Sequence, residues 1–187
     1  MEFYRTFIAL PMEVGREVHQ LVETLKESLA AERISWVDPQ RYHLTLRFLG
    51  DTPLEQVRII GKKIREEVNS EPFHIKLSSV GSFGPRKRPR VVWIGIESAE
   101  QIHHLYKQTE KLLQTCGFPP EKNGFKPHLT LGRVRGLKDL NNYHRIIESL
   151  DSQPLGVVKV GRIVYYRSVL GAGGPVYSPL YQVKFGE

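Results

Sequence analysis

One tetrapeptide occurs twice in this chain: His43-Leu44-Thr45-Leu46 and, 85 residues later, His128-Leu129-Thr130-Leu131. Both copies lie in β-rich surroundings. Successive side chains of a strand point to opposite faces, so the histidine and threonine of each copy share one face, about 6.5–7 Å apart, and the two leucines share the other. Each copy therefore offers an imidazole and a hydroxyl from a strand anchored in a core by its leucines. A single copy would read as an amphipathic strand with a structural histidine. Two identical copies nearly half a chain apart point instead to two halves that bring the same pair to one site.

The rest of the chain alternates strand-like and helix-like stretches. Aromatic and β-branched residues predict a strand over residues 3–10, ended by Pro11. Val14, Val18, Leu21, Val22, Leu25 and Leu29 recur at helical spacing and predict a helix over about 12–31. Short strands are expected at 33–37 and 42–49. A second helix is expected at 53–69, with Thr52 as N-cap, Pro53 at its first position and Glu55 completing a capping box. Strands at 72–80 and 90–96, a helix at 99–115, a strand at 126–134, a helix at 137–150 and long strands at 155–168 and 175–185 complete the chain. The glycine-rich Gly171 to Pro175 predicts a hairpin between the last two. Eight or nine strands and four helices in this order favour an α+β fold with antiparallel pairing over a doubly wound parallel sheet. At 187 residues, without a linker-like stretch, the chain reads as a single domain of two intimately packed lobes.

Two such pairs suit phosphoryl chemistry. Histidine titrates near neutrality, so one imidazole can act as base while the other acts as acid. Threonine hydroxyls can donate to the non-bridging oxygens of a phosphoryl group between them. If an approximate two-fold relates the halves, the histidines flank one phosphorus from opposite sides, as in-line displacement requires. A net charge of +7 favours an anionic partner. No metal-ligand spacing is present and none is needed.

The paired His-x-Thr-x motif resembles the 2H phosphoesterase superfamily, and its context resembles the RNA 2′,3′-cyclic phosphodiesterase (2′-5′ RNA ligase-like) branch. The matching stretches are Phe7-Ile8-Ala9-Leu10-Pro11, Trp36 to Gly50, Arg90-Val91-Val92-Trp93-Ile94-Gly95 and Phe125-Lys126-Pro127-His128-Leu129-Thr130-Leu131-Gly132-Arg133. The resemblance implies a bilobal, pseudo-two-fold arrangement of two antiparallel sheets with helices on the outer faces and the active-site cleft between the lobes. It implies hydrolysis of an RNA 2′,3′-cyclic phosphate to a 2′-phosphomonoester without cofactor or metal, and 2′-5′ ligation as a side or reverse activity. His43 would donate a proton to the departing 3′ oxygen, His128 would activate water, and Thr45 and Thr130 would hold the phosphate. Arg133 would help to bind it, yet strict alternation places 133 with Leu129 and Leu131. A bulge eased by Gly132 would reconcile the two. Arg47 does share parity with His43 and Thr45 and is a second candidate for phosphate or RNA.

The run Arg86-Lys87-Arg88-Pro89-Arg90 is either a solvated loop or a clamp for an RNA backbone. Phe83 beside it is a packing residue or a base-stacking one. Trp36 and Trp93 are expected in the core, His103 and His104 on the surface, and Cys116 at a helix end. One cysteine excludes a disulfide framework. No apolar run reaches the roughly 18–20 residues of a membrane span, and the N-terminus lacks a signal-type segment. The expected partner is RNA with 2′,3′-cyclic ends, tRNA-derived ones among them, met by a monomer in the cytoplasm away from any membrane. Two alternatives stay open: a 2H enzyme for 2′-5′ oligonucleotides or small cyclic nucleotide phosphates, and a non-catalytic RNA-binding module.

Overall fold

The computed structural model describes residues 2–97, 100–122, 124–151, 153–171 and 174–186. Among them lie nine strands and four α-helices in two antiparallel sheets. The four-stranded sheet has the order β3 (His43–Pro53), β1 (Phe3–Pro11), β8 (Arg162–Gly171), β9 (Gly174–Lys184). The five-stranded sheet has the order β2 (Arg33–Trp36), β6 (His128–Gly136), β5 (Val91–Ile96), β4 (Phe73–Phe83), β7 (Pro154–Val160). This is the α+β architecture expected from the order of elements.

Each sheet is backed by helices because each helix has one apolar stripe to bury. α2 (Leu54–Glu67) and α3 (Glu100–Thr115) pack on the four-stranded sheet, and α1 (Arg16–Ser28) and α4 (Leu140–Ser149) on the other. α1 buries Val18, Leu21, Val22 and Leu25, and α3 buries Ile102, Leu105, Leu112 and Leu113. Each such side chain contributes roughly 1.5–3 kcal/mol on leaving water. The leucines of both repeated motifs are at most 4% exposed and join one contiguous core that draws on both sheets. Among the described residues no helix is long and apolar enough to cross a membrane.

Three expectations are corrected. The stretch 155–168 is two strands. β7 ends at Val160, β8 starts at Arg162, and they pair with β4 and β1 in different sheets. The β-rich run hides the change of sheet, which takes place at Gly161. Thr52 does not cap α2. β3 continues to Pro53, and the fully buried Thr52 hydroxyl bonds Thr6 Oγ1 at 2.9 Å and the Gly50 carbonyl at 3.1 Å. α1 starts at Arg16 rather than near 12, because Met12 is buried and its N–H donates to the Tyr42 carbonyl at 3.0 Å. The β8–β9 hairpin forms with Gly171 opposite Gly174, and Ala172 and Gly173 of the expected turn lie outside the described residues.

Candidate active site

Both repeated motifs begin a strand, and the two strands make the same irregularity at the same place. In β3, Thr45 pairs with Ala9 and Arg47 with Ile8, so Leu46 is an extra residue. In β6, Thr130 pairs with Trp93 and Gly132 with Val92, so Leu131 is the extra residue. One more step brings Phe48 opposite Phe7 and Arg133 opposite Val91. Two residues facing one is a β-bulge, and it inverts the alternation beyond it. Burial agrees: Leu46 and Arg47 are both buried and Phe48 is exposed, while Leu131 and Gly132 are both buried and Arg133 is exposed.

The bulge in β6 resolves the parity conflict at Arg133, which lies on the face of His128 and Thr130. Gly132 permits it: a Cβ there would stand 2.9 Å from Ile34 and 3.0 Å from Trp36, on the neighbouring strand β2. The bulge in β3 has the opposite consequence for Arg47. Its parity with His43 and Thr45 is broken, and its side chain is 8% exposed on the helix side of the sheet. One Nη donates to both Glu110 carboxylate oxygens at 3.1 Å, and the other donates to the Pro119 carbonyl at 2.7 Å. Glu121 stands 3.4 Å away, and its own N–H donates to Glu110. Arg47 thus ties β3 to α3 and to the segment that leads into His128; it is absent from the lining of the cavity that holds both histidines but lines a smaller recess beside Thr45 and His128.

Each histidine is held the same way. Nδ1 of His43 lies 2.7 Å from the Arg41 carbonyl, and Nδ1 of His128 lies 2.7 Å from the Lys126 carbonyl. A carbonyl only accepts, so each Nδ1 carries the proton and each Nε2 is the working nitrogen. Rings brace both. His43 contacts Phe7 (5.1 Å between centroids) and meets Tyr177 edge-on at 5.4 Å, and His128 meets Phe83 edge-on at 4.8 Å. Burial lowers the pKa of both imidazoles, the carbonyl bonds oppose this, and the positive charge of Arg133 lowers both further. Charge on His128 also disfavours charge on His43.

The two strands meet across the interface between the sheets. His43, Thr45, His128, Thr130 and Arg133 line one cavity of about 840 Å³. Neither threonine hydroxyl has a protein hydrogen-bond partner among the described residues. Trp36 and Phe48 contribute to the walls, and the β8–β9 hairpin closes one side with Pro175 and Tyr177. Arg41 anchors that hairpin by donating to the Pro175 carbonyl at 2.9 Å. A second recess of about 380 Å³ opens beside Thr45 and His128, walled by Phe48, Phe83, Tyr106 and Phe125. Phe48, which is 58% exposed, borders both.

Sequence reasoning did not single out Phe48, Tyr177 or Phe7 as parts of the site. Phe48 was hidden by the bulge, Tyr177 reaches the cleft from a strand distant in sequence, and Phe7 packs behind His43 from another. Trp36 is half-buried at the cleft rather than in the core. Phe83 packs on Trp93 at 5.1 Å as well as on His128. His104 is exposed, whereas His103 packs edge-on against Phe125 at 5.9 Å.

A two-sheet fold with a His–Thr pair from each sheet on one cavity is the arrangement of a two-histidine phosphoesterase. The LigT-like phosphoesterase family model matches this chain twice, over residues 8–93 and 94–177, with one copy of the repeated tetrapeptide in each match. The RNA 2′,3′-cyclic phosphodiesterase of Thermotoga maritima is 34% identical over 97% of this chain and 95% of its own. That of Aeropyrum pernix is 33% identical over 86% and 92%. The crystal structure of TT0787 from Thermus thermophilus superposes with a TM-score of 0.72 at 25% identity, covering 96% of this chain and 97% of its own. E. coli LigT complexed with 3′-AMP shares the fold over the whole of both chains, with a TM-score of 0.73 at 21% identity. The chain belongs to the LigT-like phosphoesterase family.

Proposed function

We propose that this protein hydrolyses RNA 2′,3′-cyclic phosphodiester ends to 2′-phosphomonoesters by acid–base catalysis from two histidines, without a metal. The observation that carries the reading is the like treatment of His43 and His128. Each spends Nδ1 on a carbonyl two residues back and lines the same cavity, leaving two equivalent Nε2 atoms for one phosphorus centre.

In this mechanism the cyclic phosphate sits between the motifs, its non-bridging oxygens accepting from Thr45 and Thr130 and facing Arg133. Nε2 of neutral His128 takes a proton from water, which attacks phosphorus in line with the 3′ oxygen. Nε2–H of protonated His43 delivers a proton to that oxygen as it leaves. Access to water supports the assignment: His128 is the more open ring and the readier to activate water, whereas His43 is wrapped by Phe7 and Tyr177. The lowered pKa values help the base and hinder the acid. The anionic substrate offsets this, since a nearby negative charge raises the pKa of an imidazole. Ligation takes the same route when a 5′-hydroxyl replaces water. The names carried by the Thermotoga and Aeropyrum relatives support the substrate class.

The test is incubation of a short RNA bearing a 2′,3′-cyclic end with the protein in EDTA, then analysis of the product end. A 2′-phosphate is expected. A 3′-phosphate would reverse the leaving oxygen, and loss of turnover in EDTA would overturn the metal-free mechanism.

A further inference from the structure

A groove of about 590 Å³ adjoins the catalytic cavity along β6, between that strand and the β4–β5 loop. Its lining carries five cations, Lys87, Arg88, Arg90, Arg133 and Arg135, and no carboxylate. The two cavities adjoin, since Val91, Arg133 and Arg135 line both. At the far end the Arg33 guanidinium lies over Gly136, where a Cβ would stand 2.7 Å from it.

The loop that carries three of these charges has a defined shape. Arg86 pairs with Glu148 at 2.9 Å, and its carbonyl lies 2.8 Å from His144 Nε2, which ties the loop to α4. The Arg88 N–H donates to Pro85, the Arg90 N–H donates to Phe83, and the Arg90 carbonyl accepts from Val134 N–H. Arg86 is thus neutralised outside the groove. Among the described residues Lys87, Arg88, Arg90 and Arg133 have no ion-pair partner, and Arg135 has only a 3.2 Å bond to Ser35 Oγ. The nearby Glu32 and Asp139 are engaged by backbone N–H groups at the start of α4.

Several unpaired cations set close together repel one another, an arrangement that a polyanion relieves. The groove has no aromatic side chain to stack a base. Its remaining lining is aliphatic, proline or glycine. It therefore suits a sugar–phosphate backbone read without regard to sequence. The reactive phosphate lies at Arg133 in the reading above, and at a cyclic 3′ end the chain continues only through the 5′ side of the terminal ribose.

We infer that this groove holds the backbone phosphates of single-stranded RNA upstream of the reacting end, so that the protein prefers oligonucleotides over mononucleotides. The inference rests on the proposed function for the position of the reacting end, but binding tests it separately. The test compares wild type with the triple variant Lys87→Gln/Arg88→Gln/Arg90→Gln, whose sites are outside the catalytic cavity. The charge-matched control is Arg58→Gln/Lys62→Gln/Lys111→Gln on the exposed sides of α2 and α3.

Fluorescence anisotropy of a labelled single-stranded RNA oligonucleotide gives affinity against salt. Each lost phosphate contact lowers the log–log slope by about 0.7, so the groove variant should lose about 2 and the control close to none. Its kcat/KM for a cyclic-ended oligonucleotide should fall about tenfold, in line with that loss of phosphate contacts. Its turnover of a nucleoside 2′,3′-cyclic monophosphate should not change. An unchanged slope, an equal loss in the control, or equal losses on both substrates would overturn the groove. If wild type turns over neither substrate, the cyclic phosphodiesterase reading fails, and the anisotropy slopes decide the groove on their own.

Discussion

Phe48 and Arg133 occupy equivalent positions in the two halves of the molecule. Each stands five residues after the histidine of its motif and just beyond a bulge at the second leucine. Their partners, Phe7 and Val91, hold matching places in the neighbouring strands. The same backbone device therefore delivers an aromatic ring to one side of the cleft and a guanidinium to the other. The scaffold is symmetrical and the chemistry on it is not, which suits the proposed substrate with its base at one end and phosphate at the other.

Loss of either imidazole should be severe. His43→Ala and His128→Ala should each lower turnover of a cyclic-ended RNA by about 10²–10⁴, the usual worth of one positioned proton transfer. The double variant should lose much less than the product of the two, because the pair acts as a unit. Single-turnover rates measured alongside melting curves check this. Undiminished turnover in either variant would remove that histidine from the mechanism.

The pH dependence has a defined sign. Activity rises as the base loses its proton and falls as the acid loses its own. Both imidazoles lie below the ordinary 6.5 in the free protein, so kcat/KM should peak on the acid side of neutrality. Removing a positive neighbour raises both pKa values, so Arg133→Gln should move both limbs to higher pH. Stability obeys linkage. The unfolded chain binds more protons between the folded and unfolded pKa values, so stability rises with pH through that window and levels off above 6.5. Urea titrations from about pH 5 to 8 should show a smaller rise in His43→Gln.

The two motif-associated arginines should separate cleanly. Arg133 is exposed at the cleft, and Arg133→Ala should abolish most activity while leaving the melting temperature close to wild type. Arg47→Ala leaves Glu110 buried without its cation and should cost about 3–5 kcal/mol of stability. Denaturant midpoints and kcat/KM for both variants decide this. A stable, inactive Arg47 variant would return that residue to the site.

Phe48 offers an exposed ring at the junction of the two recesses. Phe48→Ala should weaken binding of a nucleoside 2′-phosphate by about 1–3 kcal/mol, the worth of one base–aromatic stack. Phe48→Tyr should retain most of the affinity. Calorimetric titration of both variants gives the comparison, and unchanged affinity in the alanine variant would place the base elsewhere.

The elements themselves were legible because their causes are local. Helical spacing found four helices to within a few residues, and β-rich runs bounded by proline and glycine found the strands. Errors arose where a partner strand decided the outcome. Nothing within residues 155–168 says that Val160 pairs into one sheet and Ile163 into the other. Thr52 satisfies every local rule for a cap, yet it is drawn into a buried hydrogen bond with Thr6 from a strand 46 residues away.

The repeat of His-Leu-Thr-Leu was enough to single out the two pairs that line the cavity, because a titratable ring and a hydroxyl on one face of a leucine-anchored strand result from alternation alone. Which arginine joins them was a tertiary decision. Neighbouring strands impose an extra residue on β3 at Leu46 and on β6 at Leu131, and each insertion turns the residues just after it to the opposite face. Arg47 is thereby carried to Glu110 on the helix side, and Arg133 into the cleft, because the register of a ladder is set by the strand across from it.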